Sequence, residues 1–150
     1  MKHFESNSAE DTYHIGKELG EKAEAGQVFA LDGDLGTGKT VFTKGFAKGL
    51  GIRGLVNSPT FTILQIYEDG RLPLYHFDVY RIEEPEEMDE VGFDDYVYGN
   101  GVCMIEWADQ IREILPEKTR TITIRKDLSK GTDYRDITIT DGPEERKENG

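Results

Sequence analysis

The chain has 150 residues, 36% of them hydrophobic and 32% charged, which is typical of a soluble globular domain. Its formal net charge of −12 disfavours unaided binding of nucleic acid, because a protein that holds a polyanion usually presents a basic face. The lone Cys103 excludes an internal disulfide, no apolar run is long enough to cross a bilayer, and the N-terminus lacks an apolar signal segment. We therefore expect a cytoplasmic protein.

The first third of the chain predicts alternating strands and helices. A short strand at Phe4-Glu5 precedes a helix over about 9–24, for which Ser8 is the expected N-cap. The apolar segment 27–32 predicts a buried strand that runs directly into a glycine-rich segment. Helical periodicity follows, from Val41 to about Leu50.

The remainder is richer in strands. Segments 61–67 and 72–80 contain many β-branched and aromatic residues and flank Asp69-Gly70, a strong hairpin signal. Short helices are expected over about 86–98, and the apolar run 101–106 predicts a central strand. The last predicted elements are a helix over about 108–114 and strands at 119–125 and 134–140.

The segment from Gly33 to Thr40 matches the phosphate-binding pattern G-x-x-x-x-G-K-[ST] at every position. Its glycines allow backbone N–H groups to converge on an anion, and the following helix presents its positive end to the same phosphates. Lys39 is expected to reach the β- and γ-phosphates, and the Thr40 hydroxyl to ligate Mg²⁺. The predicted nucleotide-binding residues of this segment are Asp34, Leu35, Gly36, Thr37, Gly38, Lys39, Thr40 and Val41.

These elements predict one α/β domain over residues 1–140, a three-layer P-loop NTPase-like fold with a mixed, partly antiparallel sheet. Residues 141–150 contain no apolar anchor and are expected to form a disordered acidic tail. The many carboxylates between Glu83 and Asp95 are interpreted as a solvated acidic surface, with a docking patch for a basic partner as the alternative.

Two carboxylates are candidates for a second Mg²⁺ contact or for positioning water. Asp78 and Glu106 both lie at the ends of predicted strands, the edge at which open α/β sheets bind ligands. Glu106 follows an apolar run, as a Walker-B acid does. The nearby His76 is interpreted as a strand residue rather than a catalytic base. The sequence alone leaves the relative roles of Asp78 and Glu106 open.

Two further residues have competing interpretations. Thr60 lies between the P-loop helix and the hairpin, where P-loop proteins often have a loop that senses Mg²⁺ and the γ-phosphate, although Pro59 also suits an ordinary turn. Trp107 follows Glu106 and either stacks on a base or fills a pocket, and the residue pattern alone favours packing in the core.

The preference for ATP over GTP is inferred from the absence of the motifs that guanine-specific GTPases contain. Guanine-specific GTPases typically contain Asn-Lys-x-Asp, and no Asn in this chain is followed by Lys. Asp89 to Gly92 matches D-x-x-G only within an acidic helical stretch, so we interpret that match as coincidence. ATP is the expected nucleotide, with ADP as its product.

Four motifs together resemble the TsaE family, formerly called YjeE or YdiB, over nearly the whole length from Phe4 to about Thr140. They occur in the family's order and spacing. The motifs are Gly33 to Thr40, Ser58-Pro59-Thr60-Phe61-Thr62, His76-Phe77-Asp78-Val79-Tyr80-Arg81 and Ile105-Glu106-Trp107-Ala108.

The resemblance implies an ATPase of bacterial tRNA threonylcarbamoyladenosine synthesis, which hydrolyses ATP slowly alone and works in complex with TsaB and TsaD. By similarity, Lys39 and Thr40 bind phosphate and Mg²⁺, and Glu106 is the acidic metal-site residue. Asp78 then belongs to the family's other acidic motif, Thr60 to its switch-like loop, and Trp107 to the surroundings of the nucleotide. Contact with tRNA is expected only through the complex.

Two alternatives remain from the sequence. One is an assembly module in which ATP sets a conformation and hydrolysis is incidental. The other is a small-molecule kinase, which usually has a lid with several arginines to clamp the transferred group. The stretch after the P-loop helix offers only the scattered Arg53, Arg71 and Arg81, which disfavours the kinase.

Overall fold

The computed structural model describes residues 1–33, 36–54, 56 and 63–141. The strands are β1 (Lys2–Ser6), β2 (Val28–Asp32), β3 (Leu64–Tyr67), β4 (Leu74–Asp78), β5 (Val102–Glu106), β6 (Arg120–Lys126) and β7 (Arg135–Thr140). The α-helices are α1 (Ala9–Lys22), α2 (Lys39–Gly49) and α3 (Phe93–Val97), and 3₁₀ helices cover Pro85–Val91, Ala108–Ile114 and Leu128–Lys130.

All seven strands form one sheet in the order β1-β7-β6-β2-β5-β4-β3. The four central strands β6, β2, β5 and β4 are parallel to one another. The outer strands are antiparallel, with β1 paired to β7, β7 to β6, and β3 to β4. The predicted mixed sheet and the predicted hairpin at β3–β4 are confirmed. Because the central strands are parallel, their C-terminal ends share one edge of the sheet.

Some elements differ in length or type from those that the sequence predicts. The opening strand is longer than Phe4-Glu5 because all five residues of β1 pair with β7. Helix α1 ends at Lys22, before the predicted position, and Gly26 adopts a positive φ of 87° in the turn that follows. The predicted helix over 108–114 is 3₁₀, with a break at Ile111, where φ is −127°.

The sheet separates two apolar layers. Helices α1 and α2 cover one face, where Phe29 and Leu31 of β2 pack with Phe42 and Phe46 of α2. The two longer 3₁₀ helices and α3 cover the other face, and their apolar side chains pack on Phe77 of β4 and its neighbours. Each fully buried large apolar side chain contributes about 1.5–3 kcal/mol. The predicted three-layer α/β architecture is confirmed.

Helices α1 and α2 meet backbone to backbone. Two glycines on each helix, four residues apart, form the contact, and a Cβ added at any of them would overlap a carbonyl oxygen of the other helix. These glycines are Gly16 and Gly20 on α1 and Gly45 and Gly49 on α2. Side chains at these positions would force the helices apart, so the glycines fix α2 tightly against α1.

The N-terminus of α1 is capped as predicted. The Asp11 N–H donates to the Ser8 hydroxyl at 3.0 Å, and the Asp11 carboxylate accepts from the Asn7 N–H at 3.0 Å. Next to this cap, the buried hydroxyls of Ser6 and Thr12 are hydrogen-bonded at 2.7 Å. A cap of this kind is worth about 1 kcal/mol, and the hydroxyl pair ties β1 to α1.

The acidic segment lies on the surface. Every Asp and Glu from Glu83 to Asp95 is exposed, whereas Met88, Phe93 and Val97 anchor the segment in the core. Within the described residues, no helix combines the length and the apolar composition needed to cross a membrane. The predicted tail, apart from Asp141, lies at 142–150, outside the described residues.

Candidate functional site

The glycine-rich segment connects the C-terminal end of β2 to the first residue of α2. A Cβ on Gly33 would lie 2.7 Å from the Thr37 hydroxyl and 2.9 Å from the Ile124 carbonyl oxygen, so only glycine fits there. Gly36 and Gly38 have φ values of 78° and 103°, which side chains rarely adopt. Asp34 and Leu35 lie outside the described residues. The described part of the segment has the backbone that a phosphate loop requires.

Helix α2 begins within this loop. Gly38 is its N-cap, and the Phe42 N–H donates to the Gly38 carbonyl at 2.9 Å. The first turn contains Lys39, Thr40 and Val41, of which Lys39 is buried, Val41 half-buried and Thr40 exposed. No acidic residue lies in this turn. The positive end of the helix is therefore directed at the loop without a carboxylate of its own turn to oppose an anion.

Lys39 and Trp107 are in contact. The Lys39 Nζ lies 3.9 Å from the centroid of the Trp107 ring, a cation–π arrangement. Trp107 is the one non-glycine residue with a positive φ in the described part of the chain, at 61°, and its ring also lies 4.8 Å from that of Tyr80. The sequence pattern favoured a core tryptophan. In the structure Trp107 is half-buried: it packs against the core layer that contains Phe77, and its ring also contacts Lys39.

Glu106 is the last residue of β5 and is almost wholly buried, with 3% of its surface exposed. The His76 Nε2 lies 2.8 Å from the Glu106 Oε2. Since a carboxylate only accepts, Nε2 carries the proton of this hydrogen bond. The His76 Nδ1 is also buried and has no hydrogen-bond partner among the described residues. His76, interpreted from sequence as an ordinary strand residue, is thus directly linked to a candidate site carboxylate.

Asp78 lies beside Glu106. The two residues are paired in the parallel register of β4 and β5, at the C-terminal edge of the sheet. Asp78 is only partly buried, and its Oδ1 accepts from the Tyr80 N–H at 3.0 Å. Burial raises the pKa of Asp78, and the negative charge of Glu106 adds to the increase. The two carboxylates that the sequence left in competition therefore occur together at one edge.

A cavity of about 840 Å³ opens beside Lys39 and Trp107. It extends along the ends of β2 and β6 as far as the 3₁₀ helix Ala108–Ile114. Polar residues that no sequence motif indicates line this cavity. They are Asp32, Asp109, Gln110, Thr123, Arg125 and Lys126. Burial raises the pKa of Asp32, and the nearby Asp109 carboxylate adds to the effect. No sequence signal identified these residues, because the β2–β6 pairing that brings them together is not local in the chain.

The structure brings together most of the residues expected from sequence. Lys39, Trp107, Asp78 and Glu106 lie at the C-terminal edge of the parallel strands or at the start of α2. Thr60 lies outside the described residues. Among the described residues, no group of three or more His, Cys, Asp or Glu side chains is arranged to hold a metal ion.

A buried parallel strand, a glycine loop and a helix that begins with Lys39 define the class of P-loop proteins. Residues 6–136 match the family model for "Threonylcarbamoyl adenosine biosynthesis protein TsaE". The chain belongs to this family.

Individual proteins with names of this family are also similar to the chain. The tRNA threonylcarbamoyladenosine biosynthesis protein TsaE of Bacillus subtilis is 53% identical over 87% of this chain and 80% of its own length. The protein of the same name from Treponema pallidum is 48% identical over 89% of this chain and 96% of its own. The crystal structure of Bacillus subtilis YdiB matches with a TM-score of 0.82 and 43% identity, covering 98% of this chain and 89% of that one.

Proposed function

We propose that this chain is the ATPase subunit of the bacterial machinery that makes N6-threonylcarbamoyladenosine at position 37 of tRNA, and that it hydrolyses ATP in complex with TsaB and TsaD. The observation that carries the proposal is the contact of Lys39, at the head of α2, with Trp107, which directly follows Glu106 at the end of the parallel strand β5. Membership of the TsaE family supports the assignment of the chain to threonylcarbamoyladenosine biosynthesis.

The chemistry of the site suits a nucleoside triphosphate. The loop N–H groups and the Lys39 ammonium are donors for phosphate oxygens, and the aromatic face of Trp107 helps to hold the Lys39 side chain. Glu106 is buried and hydrogen-bonded to His76, so its carboxylate has a fixed orientation. In this proposal Glu106 and Asp78 orient the attacking water or the metal ion, and Thr60 belongs to the loop that responds to the γ-phosphate.

Mg²⁺ is the metal that fits these residues. In nucleotide sites it is held by one or two carboxylates together with phosphate oxygens, so a cluster of three protein ligands is not required. The Thr40 hydroxyl and the Glu106 carboxylate are hard oxygen donors of the kind that Mg²⁺ prefers, and they are the proposed ligands. When bound, Mg²⁺ neutralises charge that develops on the transferred phosphoryl group.

We also propose that the chain acts in the cytoplasm and through protein partners, and its surface charge supports the action through protein partners. With a net charge of −12 and an exposed acidic segment from Glu83 to Asp95, the chain repels a polyanion at long range. We therefore expect negligible binding of tRNA to the purified chain at physiological salt. Nanomolar binding in a filter assay would contradict this part of the proposal.

Phosphate release tests the proposal. We expect slow release from the chain alone and a marked rise when TsaB and TsaD are added. Glu106→Ala should abolish the rise while nucleotide binding remains measurable, and Glu113→Ala, at an exposed position, is the matched control. Full activity of the Glu106→Ala variant would remove this residue from the mechanism.

The Lys39→Ala variant separates hydrolysis from simple assembly. If wild-type ATP turnover with both partners exceeds that of Lys39→Ala, the hydrolysis takes place at this site. If the two rates are equal but ATP still promotes the association with TsaB and TsaD, the chain is a nucleotide-dependent assembly module rather than an ATPase.

A further inference from the structure

An arginine about a hundred residues later in the chain donates hydrogen bonds to main-chain carbonyls of the phosphate loop. Arg135, the first residue of β7, donates from Nε to the Thr37 carbonyl at 2.9 Å and from Nη2 to the Gly36 carbonyl at 3.4 Å. Its Nη1 donates to the carbonyls of Thr132 and Tyr134, at 2.9 and 2.7 Å. One half-buried guanidinium thus links the loop to the last strand.

These contacts determine which way two peptide groups face. The peptide bonds of the described residues are trans, so the C=O and N–H of one peptide unit point in opposite directions. The Gly36 carbonyl shares its peptide unit with the Thr37 N–H, and the Thr37 carbonyl shares its unit with the Gly38 N–H. Because both carbonyls are directed at Arg135, both N–H groups are directed away from it. In a phosphate loop, such N–H groups are the donors for phosphate oxygens.

The charge of Arg135 is also available to the site. All four of its acceptors are main-chain carbonyls, and it forms no ion pair with a carboxylate in the described part of the chain. Lys126, its partner in the β6–β7 register, has its Nζ 3.5 Å from the point where a Cβ on Gly36 would lie. In a chain with a net charge of −12, two cations beside this loop form a local positive site.

We propose that Arg135 is a positioning residue for nucleotide binding, which fixes the Thr37 and Gly38 N–H groups toward the phosphates. The proposal rests on the nucleotide-binding function proposed above. No direct contact of Arg135 with the nucleotide is proposed, since four of its five N–H groups are directed at main-chain carbonyls. Its effect is to pre-form the loop, so that binding does not require the peptide groups to turn first.

The test compares three variants by titration with a fluorescent ADP analogue in the presence of Mg²⁺. Arg135→Met keeps the length of the side chain but removes all donors and the charge. Arg135→Lys restores the charge without the planar fork that spans several carbonyls. Arg53→Met removes one positive charge at an exposed position away from the loop, as a matched control.

We expect Arg135→Met to weaken ADP binding by about tenfold or more, the effect of losing one charge-assisted hydrogen-bond arrangement. Arg135→Lys should recover only part of that loss, and Arg53→Met should bind as the wild type does. Full recovery by Arg135→Lys would mean that charge alone matters and would overturn the positioning role. The positioning role would also be overturned if Arg135→Met lowered the denaturation midpoint but left the affinity for ADP unchanged.

Failure of the underlying function gives a different result. If the wild-type chain binds no ADP and Lys39→Ala behaves identically, the proposed nucleotide-binding function is refuted. The proposed role of Arg135 is then refuted as well. If the wild type binds ADP, Lys39→Ala does not and Arg135→Met does so normally, only the inference on Arg135 is refuted. Should Arg135→Met fail to fold, Arg135→Lys against the wild type gives the same comparison, and equal affinity again refutes the proposal.

Discussion

Replacing His76 by Phe removes the hydrogen bond that the imidazole donates to the buried Glu106 carboxylate, while keeping an aromatic ring in the strand. Both side chains are almost completely buried, at 1% and 4% exposure, so water cannot easily substitute for the lost donor. A hydrogen bond to a charged group contributes about 1.5–3 kcal/mol, and removing one partner of a buried pair costs about 3–5 kcal/mol. We therefore expect a loss of about 2–4 kcal/mol in the free energy of unfolding.

The measurement is a double-mutant cycle by urea denaturation, with His76→Phe, Glu106→Leu and the variant that combines both. A loss of this size lowers Tm by about 5–15 °C for a chain of this length. The double variant should lose less stability than the sum of the two single variants, because both groups of the His76–Glu106 hydrogen bond are then absent and its loss is counted only once. His76→Asn, which keeps an N–H donor at this position, is the conservative control.

Two results would refute this reasoning. A His76→Phe variant as stable as the wild type would show that the Glu106 carboxylate does not depend on the imidazole. Additive losses in the cycle, without coupling of at least about 0.5 kcal/mol, would show that the two side chains do not stabilise each other.

Gly45→Ala would drive a Cβ into the Tyr13 carbonyl, so we expect a loss of about 3 kcal/mol or more in denaturant unfolding, whereas Gly54→Ala, in open space, should stay within about 1 kcal/mol of the wild type. Equal effects would contradict the tight α1–α2 contact. Burial raises the pKa of Asp32, so its favourable contribution is complete below the unfolded pKa and is lost as the pH rises through the folded pKa. Asp32→Asn should therefore raise Tm at neutral pH, with a gain that shrinks as the pH falls through the acid range, and a gain independent of pH would point to another cause. Burial raises the pKa of Cys103 to about 12, so a disulfide reagent at mildly alkaline pH should label it only after unfolding, and rapid labelling of the native protein would contradict its burial.

The parts of this fold that the sequence predicted well are local in the chain. The strand, loop and helix from Val28 to Gly49 follow from one continuous pattern of apolar residues and glycines. The β3–β4 hairpin follows from Asp69-Gly70 between two β-rich segments. In both cases the residues that determine the structure are neighbours in sequence, so the signal is contained in a short window.

The missed features depend on which strands become neighbours. His76 contacts Glu106 only because β4 and β5 pair in parallel, and Arg135 contacts the Gly36 and Thr37 carbonyls only because β7 follows β6 in the sheet order. One signal for His76 was present. In a strand, alternate residues share a face, so His76 had to lie on the same face as Asp78. The orientation of Trp107 toward Lys39 had no such signal, because it depends on a positive φ at a non-glycine residue.

The four glycines between α1 and α2 also determine where the chain can be shortened. Helix α1 precedes the phosphate loop in sequence, yet it supports α2 along the backbone, and Thr12 lies close to Gly38. A truncated chain that starts at β2 would retain the whole G-x-x-x-x-G-K-[ST] pattern but leave one side of α2 exposed. The first 22 residues therefore support α2 and the proposed nucleotide site, and we expect a fragment that starts at β2 to lose the packing of α2.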